Sequence, residues 1–121
     1  MALEASETGD VLQVGELEVR PDDGLALAAG RTVVLSVREF HLLVALMRRA
    51  GRVVSREELF RIVWGRALRA GDRSIDVYVH KLRVKLEDAL PDWRFIHTHV
   101  GFGYRLSPEP SHAFHKNATG R

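Results

Sequence analysis

The stretch from Asp72 to Lys85 gathers side chains that can hold a polyanion. Residues three and four apart lie above one another on an α-helix, so one stripe of this stretch is apolar: Ile75, Val79, Leu82 and Leu86. The opposite side is basic and nearly free of acid, with Arg73, Val77, His80, Lys81 and Val84 on it and Arg83 and Lys85 at its edges. Lys and Arg pair with phosphates and can reach guanine edges, so such a helix suits a DNA major groove. An ordinary amphipathic surface helix with solvated charges fits this stretch alone just as well.

Positive charge is concentrated in the middle of the chain, although the formal net charge is only +2. Residues 1–30 hold one Arg against seven acids, whereas residues 61–85 hold seven Lys or Arg against two Asp. Residues 31–60 carry +3, and residues 86–121 are balanced. The acidic N-terminal part therefore masks a local basic surface, and this asymmetry favours a polyanionic partner.

The composition predicts one soluble domain. A chain of 121 residues can bury its own core but is too short for two domains. No apolar run is long enough for a membrane span, and no signal-peptide pattern opens the chain, so we expect no membrane partner. The absence of cysteine excludes disulfides and thiolate metal clusters and fits a cytoplasmic location.

The first third of the chain predicts a small antiparallel sheet that follows a leader or linker remnant over residues 1–10. Short apolar runs are separated by turn residues and predict four strands: Val11–Val14, Leu17–Arg20, Leu25–Ala28 and Thr32–Leu35. Asp22 and Asp23 could form a catalytic or metal-binding pair. Their Pro-Asp-Asp-Gly context is primarily turn chemistry.

Three helices are predicted next. Ser36 with Glu39, and Ser55 with Glu58, have the spacing of capping boxes that open the first two helices. The first helix is expected to pack through Phe40, Leu43, Val44 and Met47, and the second through Leu59, Ile62 and Val63. The basic helix follows, with Asp72 as its N-cap and an end near Leu90.

A β-hairpin is predicted after the helices. Its strands are Phe95–Val100 and Tyr104–Leu106, and Gly101-Phe102-Gly103 forms the tip. The domain is therefore predicted to cover residues 11–107. Residues 108–121 show no period and are predicted to be a disordered tail.

Six sequence blocks in this order resemble the effector domain of OmpR/PhoB-type response regulators over roughly residues 12–107. They are Ser36-x-x-Glu39-Phe40-x-Leu42-Leu43, Gly51-Arg52-Val53-Val54-Ser55-Arg56-Glu57-Glu58-Leu59, Val63-Trp64-Gly65, Asp72-Arg73-Ser74-Ile75-Asp76-Val77, Leu82-Arg83-x-Lys85-Leu86 and Gly101-x-Gly103-Tyr104. The resemblance implies an α+β fold: a winged helix-turn-helix with an N-terminal four-stranded antiparallel sheet, a three-helix core and a C-terminal β-hairpin wing. It also implies double-stranded DNA as the partner, usually bound by tandem copies on promoter direct repeats, with recruitment of RNA polymerase and no cofactor. The isolated domain is expected to be monomeric off DNA.

The resemblance also implies a set of DNA-binding residues. The third helix would direct Ser74, Asp76, Val77, His80 and Lys81 toward base edges or nearby phosphates, with Lys81 as the foremost base contact. Arg73, Arg83 and Lys85 would hold the DNA backbone, joined by Thr98 of the wing, and His99 of the wing is a further predicted DNA-binding residue. Asp76 could accept from a cytosine amine or orient Arg73 or His80, and we favour orientation.

Two segments depart from the family pattern. Relatives often carry Arg where this chain has Val100, and His99 stands where an apolar residue is common, so the resemblance leaves open whether the wing reads the minor groove. The loop after the second helix holds Arg66 and Arg69 where acids are expected, and these arginines would add phosphate contacts. Members normally carry an N-terminal receiver, for which the stretch before Val11 is too short. We expect either an excised effector domain or a free-standing regulator.

Other functions have weaker support. The sequence has no nucleophile elbow, P-loop or HExxH motif, which argues against an enzyme. His97, His99, His112 and His115 could supply metal ligands, but solvated histidines are the simpler interpretation and no metal site is predicted. The two wing histidines could instead tune DNA affinity with pH. A winged-helix module for protein or RNA contacts is the main alternative, and the salt dependence of binding separates it from a DNA reader.

Overall fold

An antiparallel sheet of four short strands begins the part of the chain that the computed structural model describes, residues 10–111. The strands are β1 (Leu12–Val14), β2 (Leu17–Arg20), β3 (Leu25–Ala28) and β4 (Arg31–Thr32), in that order across the sheet. A single 3₁₀ turn at Pro21–Asp23 joins β2 to β3, so the two aspartates lie in a turn as predicted. The buried face consists of Leu17, Val19, Ala26 and Ala28.

The fourth strand is shorter than predicted. Val33 still donates its N–H to the Ala26 carbonyl at 2.8 Å, but Val34 and Leu35 lie outside the strand. The chain leaves the sheet here because Ser36 must reach the start of the next helix. Val34 is left 80% exposed as a result.

The first helix, α1 (Val37–Arg48), begins with the predicted capping box. The Ser36 hydroxyl accepts from the Glu39 N–H at 3.1 Å, and the Glu39 carboxylate accepts from the Ser36 N–H at 2.8 Å. Leu43 and Met47 are buried as predicted, whereas Phe40 and Val44 are only partly buried. Leu42, Ala45 and Leu46 complete the buried face. The buried face of α1 is therefore wider than predicted and centred differently, because α1 contacts β1, both later helices and the C-terminal sheet.

The second helix, α2 (Arg56–Trp64), has half of its predicted capping box. Ser55 accepts from the Glu58 N–H at 3.0 Å, but the Glu58 carboxylate lies 3.5 Å from Arg49 instead of capping Ser55. Leu59 and Val63 are buried as predicted. Ile62 was predicted to pack in the core but is 41% exposed, and Phe60 is buried in its place.

The third helix, α3 (Ser74–Ala89), has the predicted rotation. Its buried residues are the four of the apolar stripe: Ile75, Val79, Leu82 and Leu86. Arg73, not Asp72, occupies the N-cap position. Asp72 still serves the helix start, because one of its carboxylate oxygens accepts from the Ser74 N–H at 2.8 Å and from the Ser74 hydroxyl at 2.6 Å.

A three-stranded sheet ends the domain, with β5 (Val53–Val54), β7 (Gly103–Pro110) and β6 (Trp93–His99) side by side in that order. Strands β6 and β7 form the predicted hairpin, which we call the wing. Strand β5 was not predicted, because two residues between helices carry no detectable period. It pairs Val53 with Arg105 and Val54 with Tyr104.

The wing is longer than predicted at the end away from its tip. Strand β6 begins at Trp93 and β7 continues to Pro110, so residues 108–110 are strand and not part of a disordered tail. Ser111 is buried, and its N–H donates to the Asp92 carbonyl at 2.8 Å. The end of β7 pairs with the first residues of β6, so β7 continues through a sequence that contains Pro108 and Pro110. The rest of the predicted tail, residues 112–121, and residues 1–9 of the predicted leader lie outside the described residues.

The two sheets and three helices form the predicted α+β fold. Within residues 10–111, no helix is both long enough and apolar enough to cross a membrane.

Candidate nucleic-acid interface

Helix α3 presents a mixed cationic and apolar surface to solvent. Arg73, Val77, His80 and Lys81 are exposed on the side opposite the buried stripe. Val77 and Val84 are 47% and 43% exposed and add apolar surface between these cations. This surface combines cations for phosphates with apolar groups that could contact thymine methyls.

Lys81 lies at one end of an aromatic stack between α2 and α3. Its ammonium is 5.1 Å from the centroid of the Tyr78 ring. Tyr78 contacts Trp64 edge-on at 5.6 Å, and Trp64 stacks on Phe60 at 4.6 Å. The stack limits the positions that the flexible lysine can occupy, since a cation is attracted to the face of an aromatic ring.

Arg66, one of the two loop arginines predicted to contact phosphates, lies at the other end of the same stack. Arg66 places its guanidinium 4.9 Å from the Phe60 centroid, and Arg38 lies 4.7 Å from the Trp64 centroid. Arg66 and Arg69 are both exposed on the loop between α2 and α3, as predicted. The i, i+4 spacing of Phe60 and Trp64 was the sequence signal for the stack, although it does not reveal which cations cover it.

Asp76 is held by two side chains from other elements. Arg56 at the start of α2 donates from Nε to Oδ1 at 3.0 Å and from Nη2 to Oδ2 at 3.1 Å. The Tyr104 hydroxyl of β7 donates to Oδ1 at 2.6 Å. Asp76 therefore orients neighbouring side chains, but its main partners are Arg56 and Tyr104, not Arg73 or His80. Arg73 is 3.7 Å from Oδ2.

The protonation states of Asp76 and Tyr104 follow from their contacts. Burial alone would raise the pKa of Asp76, but hydrogen bonds from Arg56 and Tyr104 outweigh it and hold the pKa below its ordinary value of 3.8. Burial and the hydrogen bond to Asp76 raise the pKa of Tyr104 to about 12. The carboxylate is thus ionised and the phenol neutral at physiological pH, which is the state that these hydrogen bonds require.

A second contact joins α3 to the wing. Arg83 donates from Nη2 to the Thr98 hydroxyl at 2.9 Å. Both were predicted to hold the DNA backbone, and the structure brings them together. The Arg83 Nε is buried and has no hydrogen-bond partner among the described residues.

Lys85 contacts α1 through its side chain, which stays partly exposed. Its ammonium donates to the Glu39 carboxylate of α1 at 2.7 Å, where the Glu39 side chain is only 4% exposed. Burial would raise the pKa of Glu39, but the hydrogen bonds from Lys85 and Ser36 lower it overall. The capping residue of α1 and a cation of α3 thus form one partly buried ion pair, which the sequence spacing of 46 residues does not reveal.

The histidines of the wing have partners within the hairpin. His99 accepts from Arg105 Nε at 3.0 Å, and His97 donates to the Ser107 carbonyl at 2.8 Å. No cluster of three or more His, Cys, Asp or Glu residues lies between residues 10 and 111 in an arrangement that could hold a metal ion. His112 and His115 are outside the described residues. The wing tip is apolar, with Val100 87% and Phe102 77% exposed.

Comparisons with known proteins place this arrangement among regulators of transcription. The family described as "Transcriptional regulatory protein, C terminal" matches residues 30–106. The alkaline phosphatase synthesis transcriptional regulatory protein SphR of Synechococcus elongatus is 37% identical over 101 residues, which are 84% of this chain and 39% of SphR. The chain therefore spans well under half the length of this regulator.

Solved structures share the fold and include a DNA complex. The DNA-binding domain of CpxR from Escherichia coli has a TM-score of 0.74 and 35% identity, and the match covers 82% of this chain and 97% of that domain. The Klebsiella pneumoniae RstA DNA-binding domain, solved in complex with the RstA box, has a TM-score of 0.74 and 30% identity. That match covers 84% of this chain and all of the RstA domain.

Proposed function

The chain belongs to the family of C-terminal domains of transcriptional regulatory proteins, the winged-helix DNA-binding output domains of OmpR/PhoB-type response regulators, and we propose that it binds specific duplex DNA with α3 in the major groove and the wing on the adjacent backbone. The observation that carries this mode of binding is the Arg83–Thr98 contact. It joins the exposed cationic helix to the hairpin, so that both meet one ligand together.

Lys81 is the proposed base-reading residue. Its ammonium is exposed, and the Tyr78 ring limits its positions. A lysine in the major groove can donate to guanine O6 and N7, and neighbouring Val77 offers an apolar surface to a thymine methyl. His80 and Ser74 lie on the same helix and complete the proposed groove-facing set.

The phosphate contacts centre on Arg83 and Thr98. The Thr98 hydroxyl accepts from Arg83, so its own proton remains available for a phosphate oxygen. Arg73, Arg66 and Arg69 are exposed and are proposed as further backbone contacts. Asp76, Lys85 and His99 are left out of the proposed contacts. Asp76 and Lys85 are neutralised by ion pairs with Arg56 and Glu39, and His99 accepts from Arg105.

The wider role is also part of the proposal. The RstA domain was solved on its own DNA site, and this chain shares that fold over the domain's full length. We infer that two copies bind promoter direct repeats in the cytoplasm, that the domain is monomeric off DNA, and that the bound copies contact RNA polymerase.

Selection of bound duplexes from a random DNA pool tests the proposal. The full chain is used at about 150 mM salt, where binding through phosphates alone is weak. Enrichment of a short motif supports sequence-specific binding, and a direct repeat of that motif supports paired copies. Recovery of only random sequence, or tighter binding to single-stranded RNA than to any duplex, overturns the proposal in favour of a protein or RNA module.

A further inference from the structure

We propose that Asp76 and Tyr104 are positioning residues that fix the wing against α3. Arg83 and Thr98 are thereby already in place, before DNA binds, to donate to the same DNA phosphate. This inference rests on the proposed function. It concerns two side chains that would act without touching DNA.

The two helix residues of this arrangement lie on one edge of α3. Asp76 and Arg83 are seven residues apart, which is almost two turns and about 10 Å along the helix axis. Each contacts the wing through its side chain. The wing is therefore attached to α3 at two separate points and cannot pivot about either one alone.

The two wing residues lie on one rung of the hairpin. Thr98 of β6 is directly opposite Tyr104 of β7 in the strand register. Directly opposed residues point to the same face of a sheet, so both side chains meet α3 from that face. Two contacts that start two helical turns apart thus end on neighbouring positions of the hairpin.

Asp76 also connects the wing to α2. The same carboxylate receives two hydrogen bonds from Arg56, and Arg56 Nη2 donates in addition to the Asp72 carbonyl at 3.1 Å. The hydrogen bond from Tyr104 is short at 2.6 Å, as expected for a hydroxyl that donates to an ionised acceptor. The starts of α2 and α3 and strand β7 are consequently held by one ionised group.

Positioning matters for DNA because a hydrogen bond to phosphate requires the donor at a fixed distance and angle. Although Thr98 and Tyr104 share one rung, the Thr98 side chain is exposed to solvent, whereas Tyr104 is buried against α3. Holding Tyr104 in place lowers the entropy that Thr98 loses when it binds DNA. Loss of the Tyr104 hydroxyl should therefore weaken the contribution of Thr98, although the two side chains do not form a hydrogen bond with each other.

A double-mutant cycle on DNA affinity tests this coupling. The proteins are the parent chain, Tyr104→Phe, Thr98→Ala and the double variant, and the ligand is the duplex enriched from the random pool. Thr98→Ala should weaken binding by the parent about tenfold, the loss of one hydrogen bond to a charged group. The same change in the Tyr104→Phe background should cost less than about threefold. Affinities are measured at a temperature well below the thermal unfolding midpoint of every variant.

A stability control separates positioning from a general loss of structure. Ser36→Ala removes the N-cap of α1 and destabilises the domain without touching the wing. In that background Thr98→Ala should keep its full tenfold cost. Asp76→Asn, which removes the charge but keeps a carbonyl acceptor, provides a second variant and should reduce the cost of Thr98→Ala as Tyr104→Phe does.

The outcomes distinguish this inference from the proposed function. If the parent enriches no duplex, the proposed function fails. If the parent binds specifically but Thr98→Ala costs the same tenfold in every background, DNA binding stands and the positioning role of Tyr104 and Asp76 is overturned.

Discussion

Thr98 and Tyr104 face each other across the wing, and each forms a hydrogen bond with α3. Thr98 accepts from Arg83, while Tyr104 donates to Asp76. This single pair of opposed wing residues is thus hydrogen-bonded to two residues of α3 that lie about two helical turns apart. Helix α3 and the wing therefore form a single surface, and we expect a duplex that contacts one of them to meet the other at a defined distance.

Gly103 is required where the wing lies against β5. Its φ of +144° is unfavourable for other residues, and a Cβ there would overlap the backbone carbonyl oxygen of Val54. We expect Gly103→Ala to lower the free energy of unfolding by about 1–3 kcal/mol, because the backbone of β5 must move. Chemical denaturation followed by circular dichroism measures the loss.

Gly101→Ala is the matched control for this prediction. Gly101 also has a positive φ, +83°, but no atom lies within 4 Å of its virtual Cβ. Only the conformational cost of about 1–2 kcal/mol applies there. A smaller loss for Gly103→Ala than for Gly101→Ala would show that β5 does not press against the hairpin.

Lys81→Ala should weaken binding to the selected duplex more than binding to random duplex. The difference should be about 1–3 kcal/mol if the ammonium contacts a guanine edge. Titration of both duplexes at two salt concentrations measures it. An equal loss on both, with a shallower salt dependence, would reassign Lys81 to a phosphate.

Lys85→Met should affect the fold instead of DNA binding. Removing the ammonium leaves the buried Glu39 carboxylate without its charged partner. We expect the free energy of unfolding to fall by about 1–3 kcal/mol, the cost of an unsatisfied buried group. Urea denaturation measures this, with Lys81→Met as the control, since loss of its exposed contact with the Tyr78 ring should cost no more than about 0.5–1 kcal/mol. Unchanged stability in Lys85→Met combined with weaker DNA binding would restore Lys85 as a backbone contact.

How much the sequence predicts depends on the length and regularity of each signal. The apolar stripe of α3 repeats over three turns, so its rotation was predicted and is confirmed. The fold and the family were predicted from six blocks spread over the chain, and the capping box of α1 from the specific chemistry of a four-residue motif. The placement of Ile62 was wrong, because a nine-residue helix gives too few turns to define a face.

Other features depend on tertiary contacts that no local pattern contains. Strand β5 is two residues long and exists only because β7 pairs with it. The partners of Asp76 are 20 residues before it and 28 residues after it, so the sequence suggested an orienting role but not Arg56 or Tyr104. The same reason explains why Lys85 was predicted to hold DNA although its ammonium contacts Glu39.

Leu82→Ala tests the rotation of α3. Leu82 is fully buried in the core, so truncation should cost about 2–5 kcal/mol of unfolding free energy through the cavity that it leaves. Val84→Ala on the same helix is the control, because its side chain is 43% exposed and should matter far less. Equal thermal midpoints for the two variants would contradict the observed packing.

Stability should fall at both ends of the pH range because Asp76, Glu39 and Tyr104 have shifted pKa values in the folded domain. The pKa values of Asp76 and Glu39 are lowered in the folded domain from ordinary values of 3.8 and 4.5. A lowered carboxylate pKa contributes stability above the unfolded-state pKa, and that contribution is lost as pH falls through the folded-state pKa. The free energy of unfolding should therefore decline below about pH 4.5, and less steeply in Asp76→Asn than in the parent.

The alkaline limb has the opposite sign. The pKa of Tyr104 is raised from 10.0 to about 12 in the folded domain, so its contribution is complete below pH 10 and disappears as pH rises from 10 toward 12. A shift of this size corresponds to a loss of up to about 3 kcal/mol. Urea denaturation of the parent and Tyr104→Phe between pH 8 and about pH 11 measures it. Tyr104→Phe should be less stable at pH 8 but should lose less stability as the pH rises. Parallel curves for the two proteins would show that the Tyr104 phenol ionises as freely in the folded domain as in the unfolded chain, and that its hydrogen bond to Asp76 does not hold the wing.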